Sequence, residues 1–326
     1  MKKRHVSALA LAGFAAVITF LNSSTLTPPP TGVAKVLSHR GVHQTYDRKD
    51  LANDTCTATR ISAPTHDFLE NTLPSMQAAF AAGADVVELD VHLTPDGVLA
   101  VFHDWTLDCR TNGKGVTEET IFATLRALDV GYGYTADGGQ TFPFRGKGVG
   151  LMPRLEEVFE AFPDRRFLVN FKSNRAVEGE ALAKLIAATP KYRDRIYGIY
   201  GGEPPTEIAL ELIAGSKGYT RTSLKRCLGN YMAIGWSGYV PRSCNNQIVA
   251  VPADLAWLLW GWPNLFQKRM SAAGSEIILV GPLGSDGFTA GLDTAEQVSQ
   301  IPRTFTGYVW TNTVETTGQL IKDIRK

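Results

Sequence analysis

The stretch VVELDVHLTPDGVLAVFHD, residues 86–104, places two carboxylates, Glu88 and Asp90, two apart in an apolar, strand-like run. Side chains alternate with period two along a strand, so both acids face the same way. A tight turn follows at Pro95-Asp96-Gly97, and a second apolar run ends in His103-Asp104. Two anions side by side inside a sheet are costly unless something positive lies between them. The stretch therefore reads as a strand, a turn and a second strand, with chemistry gathered at the strand ends.

The same alternation of apolar runs and helical patterns continues on both sides. VAKVLSH (33–39) reads as a strand and ENTLPSMQAAFAAGA (70–84) as a helix stopped by Gly83. LEEVFEAFP leads into RRFLVNFKS (165–173), RIYGIYGG precedes a helical TEIALELIAG, and QIVAVP, SEIILVG and TGYVWTN supply three more strands. Helices are expected at 254–273, 292–300 and 314–325. About eight β units separated by helices in one domain of this size are the pattern of an α/β (β/α)8 TIM barrel with loop insertions on its catalytic face. A doubly wound open sheet is the alternative. No GxGxxG or Walker A run follows the first strand, which argues against a nucleotide fold.

The bulk numbers set the class. The 326 residues carry 33 basic and 32 acidic side chains, a net charge of +1 that gives no reason to expect nucleic acid as partner. Residues 1–30 read as separate from the 31–326 domain. Lys2, Lys3, Arg4 and His5 precede an apolar run from Val6 to Leu21, then a Pro-rich exit. That is the pattern of an export signal, or of an N-terminal membrane anchor if it is not cleaved, and it predicts a periplasmic or extracellular protein. Outside the cytoplasm the four cysteines are expected to pair, and no C-x-x-C suggests zinc. Of the three pairings, sequence proximity favours Cys56–Cys109 and Cys227–Cys244.

The polar residues then fall at strand C-terminal ends, where barrels place their active sites. His39 and Arg40 end the first strand, Glu88 and Asp90 the second, His103 the third; Asn170 and Lys172 end FLVNFKS. Glu88, Asp90 and the Asn170 oxygen are hard ligands suited to one divalent cation, Ca2+ or Mg2+. His39 and His103 can act as general base and acid, and Arg40 and Lys172 suit a phosphate. Together they spell phosphodiester cleavage.

At these residues the chain resembles the glycerophosphodiester phosphodiesterase family. The resemblance rests on HRG (39–41), ENT (70–72), GADVVELDVHLTPDG (83–97), VFHD (101–104), RTNGKG (110–115), MPRLEEV (152–158) and the strand with Lys172. It implies metal-dependent hydrolysis of a glycerophosphodiester to glycerol 3-phosphate and an alcohol; a lysolipid is the other small-molecule substrate expected, and no protein partner is. It also implies that His39 and His103 are the catalytic pair, that Arg40 and Lys172 hold the phosphate with Glu70 beside the metal or glycerol, and that Glu88 and Asp90 hold the metal. Three departures stand out. Asn170 replaces a usual glutamate, the stretch between HRG and ENT is long and contains Cys56, and the last strand reads VWTN where a Thr-Asp pair is expected, so Trp310 and Asn312 receive no role.

Two other functions fit the same residues: a phospholipase D-like or sphingomyelinase D-like lipid phosphodiesterase, and a barrel that binds phosphodiesters without cleaving them. WLLWGWPNLF (257–266) reads as helix packing rather than a lipid-facing surface. The glycine-rich segment 131–150 is a lid candidate. His92, at the turn, reads as solvated or structural, and His43 and His66 as rim residues.

Overall fold

The computed structural model of the chain describes residues 13–52, 54–284 and 290–324. Eight parallel strands form a nearly closed barrel: β1 (Lys35–His39), β2 (Val86–Leu93), β4 (Arg166–Phe171), β5 (Ile196–Gly201), β6 (Gly218–Tyr219), β7 (Ile248–Pro252), β8 (Glu276–Val280) and β9 (Tyr308–Thr311). Their hydrogen-bonded order is β6-β5-β4-β2-β1-β9-β8-β7, so the ladder is open only between β6 and β7.

β2 shows why the opening stretch is decisive. Its first seven residues are all buried, as expected of a barrel strand with helices on one face and the barrel interior on the other. Val87, Leu89 and Val91 take the helix side. Glu88 pairs in register with His39 of β1 and Leu168 of β4, and Asp90 with Asn170, which puts all the polar positions inside the mouth.

The expected third barrel strand is corrected. β3 (Leu99–Val101) runs antiparallel to β2 and lies off the barrel, so VLAVFHD folds back over the mouth as a hairpin. The missing eighth strand is β6, only two residues long, with no apolar run to announce it. The segment 254–273 is helical only over Asn264–Ala272; a loop with a short 3-10 turn at Ala256–Leu258 precedes it.

Two hydrophobic clusters result. The larger fills the barrel and its helix shell. The smaller joins the 42–69 insert to the segment after β3, through Ala58, Leu69, Phe102, Leu107, Tyr134 and Phe144. The lid candidate 131–150 is therefore part of a packed sub-core, with Tyr134 and Phe144 in edge-on contact at 5.8 Å. The disulfide Cys56–Cys109, with Cα atoms 5.5 Å apart, ties the same two segments together. Cys227–Cys244 closes a loop of sequence separation 17 in the second half.

The first twelve residues of the expected export segment lie outside the described residues. The remainder is helical over 13–21 and then runs along the barrel. Asn22 Nδ2 donates to the Trp236 carbonyl at 2.8 Å, and the Asn264 amide donates to Ser24 Oγ at 2.8 Å. No described helix is long and apolar enough to cross a membrane.

Candidate active site

Backbone geometry turns the end of β1 inward. Arg40 has φ of +57° and Asn71 of +59°, a region that costs a side chain about 1–3 kcal/mol unless its surroundings impose it. The two are linked, Asn71 N donating to the Arg40 carbonyl at 3.0 Å. Gly41 is obligatory between them: at its φ of +80° a Cβ would lie 2.1 Å from Ser75 Oγ.

The mouth holds a chain of buried ion pairs. Arg40 Nε lies 3.0 Å from Asp90 Oδ2 and its Nη1 donates to Glu70 Oε1 at 3.0 Å. Lys172 Nζ is 3.7 Å from Asp90 Oδ1. Arg110 Nη1 donates to Glu70 Oε2 at 2.9 Å, and Arg110 Nε lies 2.9 Å from Asp104 Oδ2, out of line for a hydrogen bond. Glu88 is the exception. It has no lysine or arginine in ion-pair contact among the described residues; its nearest cationic candidate is His39 Nε2, 3.8 Å away. Burial first, and Asp90 second, push its carboxyl up to about 8, even though the Tyr200 hydroxyl donates to it at 2.7 Å.

That uncompensated carboxylate is the test of whether a divalent cation fits. Glu88 and Asp90 project from the same face of one strand, and Glu88, with no lysine or arginine in ion-pair contact among the described residues, would ionise readily beside a divalent cation; hard oxygen donors are what Ca2+ or Mg2+ takes. Asn170 approaches differently from expectation. Its Nδ2 donates to Asp90 Oδ1 at 2.8 Å, while its Oδ1 sits where a Cβ on Gly201 would come within 2.4 Å. A second group able to gather around a cation comprises His92, Glu118 and Glu178. There Arg175 already supplies positive charge, 3.0 Å from Glu118 and 3.9 Å from Glu178.

The two histidines are held in matching ways. Asn312 Nδ2 donates to Asp293 Oδ2 at 2.7 Å, which turns its amide oxygen to His39 Nδ1, 2.6 Å away. Nδ1 must then carry the proton, leaving His39 Nε2 as a lone pair, buried and without a hydrogen-bond partner. His103 Nδ1 donates to Asp104 Oδ1 at 2.7 Å, which frees its Nε2 in the same way. Both rings titrate well below the usual 6.5. Burial dominates in each; Arg40 adds to it at His39, and Arg40 and Lys172 at His103.

Other sequence expectations resolve by placement. His92 is fully buried rather than solvated: its Nδ1 lies 3.1 Å from Glu118 Oε1 and its Nε2 3.3 Å from the His103 carbonyl. His43 is buried beside His39, with ring centroids 5.9 Å apart. Asn71, Asp104, Arg110, Tyr200, Asp293 and Asn312 received no role from the sequence. Asn71 Nδ2 donates to Asp90 Oδ2 at 2.9 Å, and Trp105 Nε1 to the Lys172 carbonyl at 2.7 Å. For Asn71, Asp104 and Arg110, membership of the quoted motifs was the available signal. Asn312 stands in the VWTN strand end, where a Thr-Asp pair is expected, and Tyr200 and Asp293 sit in sequence that carries no such signal.

His39 and His103, the cations Arg40 and Lys172, and the paired acids Glu88 and Asp90 gather at the mouth of one (β/α)8 barrel, an arrangement able to engage a phosphodiester. Residues 39–197, just under half of the chain, match the family model described as "Glycerophosphoryl diester phosphodiesterase family". A glycerophosphodiester phosphodiesterase of Caldanaerobacter subterraneus subsp. tengcongensis is 39% identical over 125 residues, 38% of this chain and 48% of that protein. The chain thus spans about half the length of that relative. Among solved structures, the glycerophosphoryl diester phosphodiesterase domain of a Mycobacterium tuberculosis protein superposes with a TM-score of 0.62 at 17% identity, covering 88% of this chain and 99% of that one. A phosphodiesterase of Oleispira antarctica, solved with the product sn-glycerol-3-phosphate, gives 0.54 at 16% identity, covering 92% and 99%.

Proposed function

We propose that the protein is a phosphoric diester hydrolase that cleaves glycerophosphodiesters into glycerol 3-phosphate and an alcohol. The observation that carries this reading is the pair of imidazoles, His39 buried and His103 half-buried, each with Nδ1 tied back and Nε2 left free, on a mouth that also presents Arg40 and Lys172. The family relatives and the product seen in the Oleispira antarctica enzyme point the same way.

In this reading His39 is the general base. A neutral amide behind it and burial around it keep it unprotonated at neutral pH. His103 is the general acid, since Asp104 behind it stabilises the imidazolium. The cations that depress His103 are the ones a phosphodiester anion would neutralise, so substrate binding itself favours its protonated form. The base takes a proton from an attacking water, whose oxygen bonds to phosphorus while the P–O bond to the alcohol breaks, and the acid protonates the leaving alcohol oxygen, giving glycerol 3-phosphate and the alcohol. Glu88 and Asp90 would hold a divalent cation that adds positive charge beside the phosphate; Asn170 would join them with its amide turned so that the oxygen, rather than Nδ2, faces Asp90.

The leader-like residues 1–30 support an exported protein, anchored if the leader is retained. A lysolipid substrate is a second reading, favoured by Trp257, a residue 74% exposed on the loop before Asn264. The deciding experiment is turnover of a glycerophosphodiester panel and of lysolipid vesicles, each with and without chelator. Release of glycerol 3-phosphate that chelator abolishes and Ca2+ or Mg2+ restores is expected. Binding without product would leave a non-catalytic barrel.

A further inference from the structure

Arg110 is the most heavily engaged side chain behind the mouth, and it touches neither the expected phosphate position nor the metal carboxylates. It is 2% exposed and spreads its guanidinium in three directions. Nη1 donates to Glu70 Oε2 at 2.9 Å and to the Tyr134 hydroxyl at 2.6 Å, Nη2 donates to Thr57 Oγ1 at 2.6 Å, and Nε stands 2.9 Å from Asp104 Oδ2. Each partner leads somewhere different. Asp104 holds the Nδ1 proton of His103, Glu70 holds Nη1 of Arg40, Thr57 belongs to the 42–69 insert, and Tyr134 to the segment after β3. Only a planar fork of donors reaches four such groups at once; a lysine ammonium would satisfy one or two.

Its backbone is fixed as firmly. Gly133 N donates to the Arg110 carbonyl at 3.1 Å, and Gly133 must be glycine, because a Cβ there would fall 1.8 Å from the Cys109 carbonyl oxygen. The disulfide joins Cys56 and Cys109, the residues immediately before Thr57 and Arg110. The bridge therefore delivers the Thr57 hydroxyl to Arg110. The insert is not an ornament on the rim: it supplies one wall of the socket that orients this guanidinium.

We propose that Arg110 is a positioning residue for the catalytic face, acting on His103 through Asp104 and on Arg40 through Glu70, with the Cys56–Cys109 bridge fixing its socket. The proposal rests on the reading of His103 as the acid. Removing a supporting group of this kind costs roughly tenfold to a hundredfold in activity. If Arg110 works through Asp104, the two cannot fail independently.

The test is a mutant cycle of Arg110→Gln, Asp104→Asn and the double variant, read as kcat on glycerophosphocholine, together with the His103 imidazole 15N shifts. Each single variant is expected to lose about tenfold or more in kcat, and the double variant to be within about threefold of the worse single. Arg110→Lys is expected to restore little. Where Arg110→Gln does not fold, Arg110→Lys, which keeps the charge, carries the same cycle. Losses that multiply, or an Arg110 variant within twofold of wild type, overturn the proposal. A wild type that cleaves no glycerophosphodiester sinks the activity reading instead. The imidazole shifts then decide separately: movement in the Arg110 variant supports the positioning link, and an unmoved ring rejects it.

Discussion

The two halves of the barrel mouth are built differently. From β1 to β4 the inward positions are ionisable: His39, Glu88, Asp90 and Lys172, with Arg40, Glu70, His103 and Arg110 around them. From β5 to β9 the strands bring Tyr200, Tyr219, Ala250, Pro252, Ile278, Val280 and Trp310 instead. Yet the quieter half is not passive. Tyr200 holds Glu88, and Asn312, backed by Asp293, holds His39. In the proposed reaction the first half carries the charges that do the chemistry, and the second half carries neutral groups that aim them. A neutral amide behind a base leaves it free to stay deprotonated, which a carboxylate in the same place would oppose.

The largest effect tests the first half. His39→Ala and His103→Ala should each lower turnover by roughly a hundredfold to ten-thousandfold, the usual contribution of a proton-transfer group. Near-wild-type rates in either variant would break the assignment of chemistry to this half. The next effect sets the two disulfides against each other. Their sequence separations are 53 for Cys56–Cys109 and 17 for Cys227–Cys244. Each is expected to stabilise by about 2–4 kcal/mol, and loop-closure entropy makes the longer loop worth about 1 kcal/mol more. Denaturant melts of Cys56→Ala/Cys109→Ala and Cys227→Ala/Cys244→Ala measure both. A larger loss from the shorter loop would mean that strain or residual unfolded structure, not loop length, governs.

Asn312 sharpens the contrast further. Asn312→Ala should cost about tenfold in kcat, the scale for losing a partner that orients a reacting ring. Asn312→Asp should do something more specific. An anion against Nδ1 favours the imidazolium, so the His39 pKa rises and the acid limb of the kcat/KM profile moves to higher pH. An unmoved limb would show that the amide's neutrality has no bearing on the base.

How far the sequence revealed this follows from the same division. Polar pairs spaced by two at strand ends stand out against an apolar background, so Glu88, Asp90, Asn170 and Lys172 could be picked out and the barrel inferred. β3 misled because an apolar run has the same pattern whether it continues a barrel or folds back as a hairpin. β6 was invisible because two residues carry no periodicity. Asn312 and Asp293 were missed because an amide and an acid near a strand end are usually solvated caps; only closure of the barrel, pairing β9 with β1, brings Asn312 to His39. Arg110 lay within a quoted motif, but its four partners come from segments that sequence cannot bring together.

The smallest effect concerns pH. All six histidines lie between residues 5 and 103, so any histidine-linked loss of stability originates in the first half. His43 is buried, and burial is the main reason its pKa is held below 6.5. Its folded form therefore binds fewer protons than the unfolded chain as pH drops below about 6.5, and linkage makes stability fall with it; above that pH the two states bind alike and nothing is lost. Glu88, raised to about 8, works in the opposite sense, gaining as pH falls. The informative quantity is thus the difference between wild type and His43→Gln rather than either curve alone. The variant should melt below wild type at pH 7.5, where it loses only packing, and the gap should narrow as pH is lowered from 6.5 toward 5. Melting temperatures recorded across that range, with hydrogen exchange showing whether residues 36–104 open before β7–β9, check it. A gap that stays constant with pH would mean that His43 stays neutral in both states or is protonated in both, and that acid unfolding begins elsewhere.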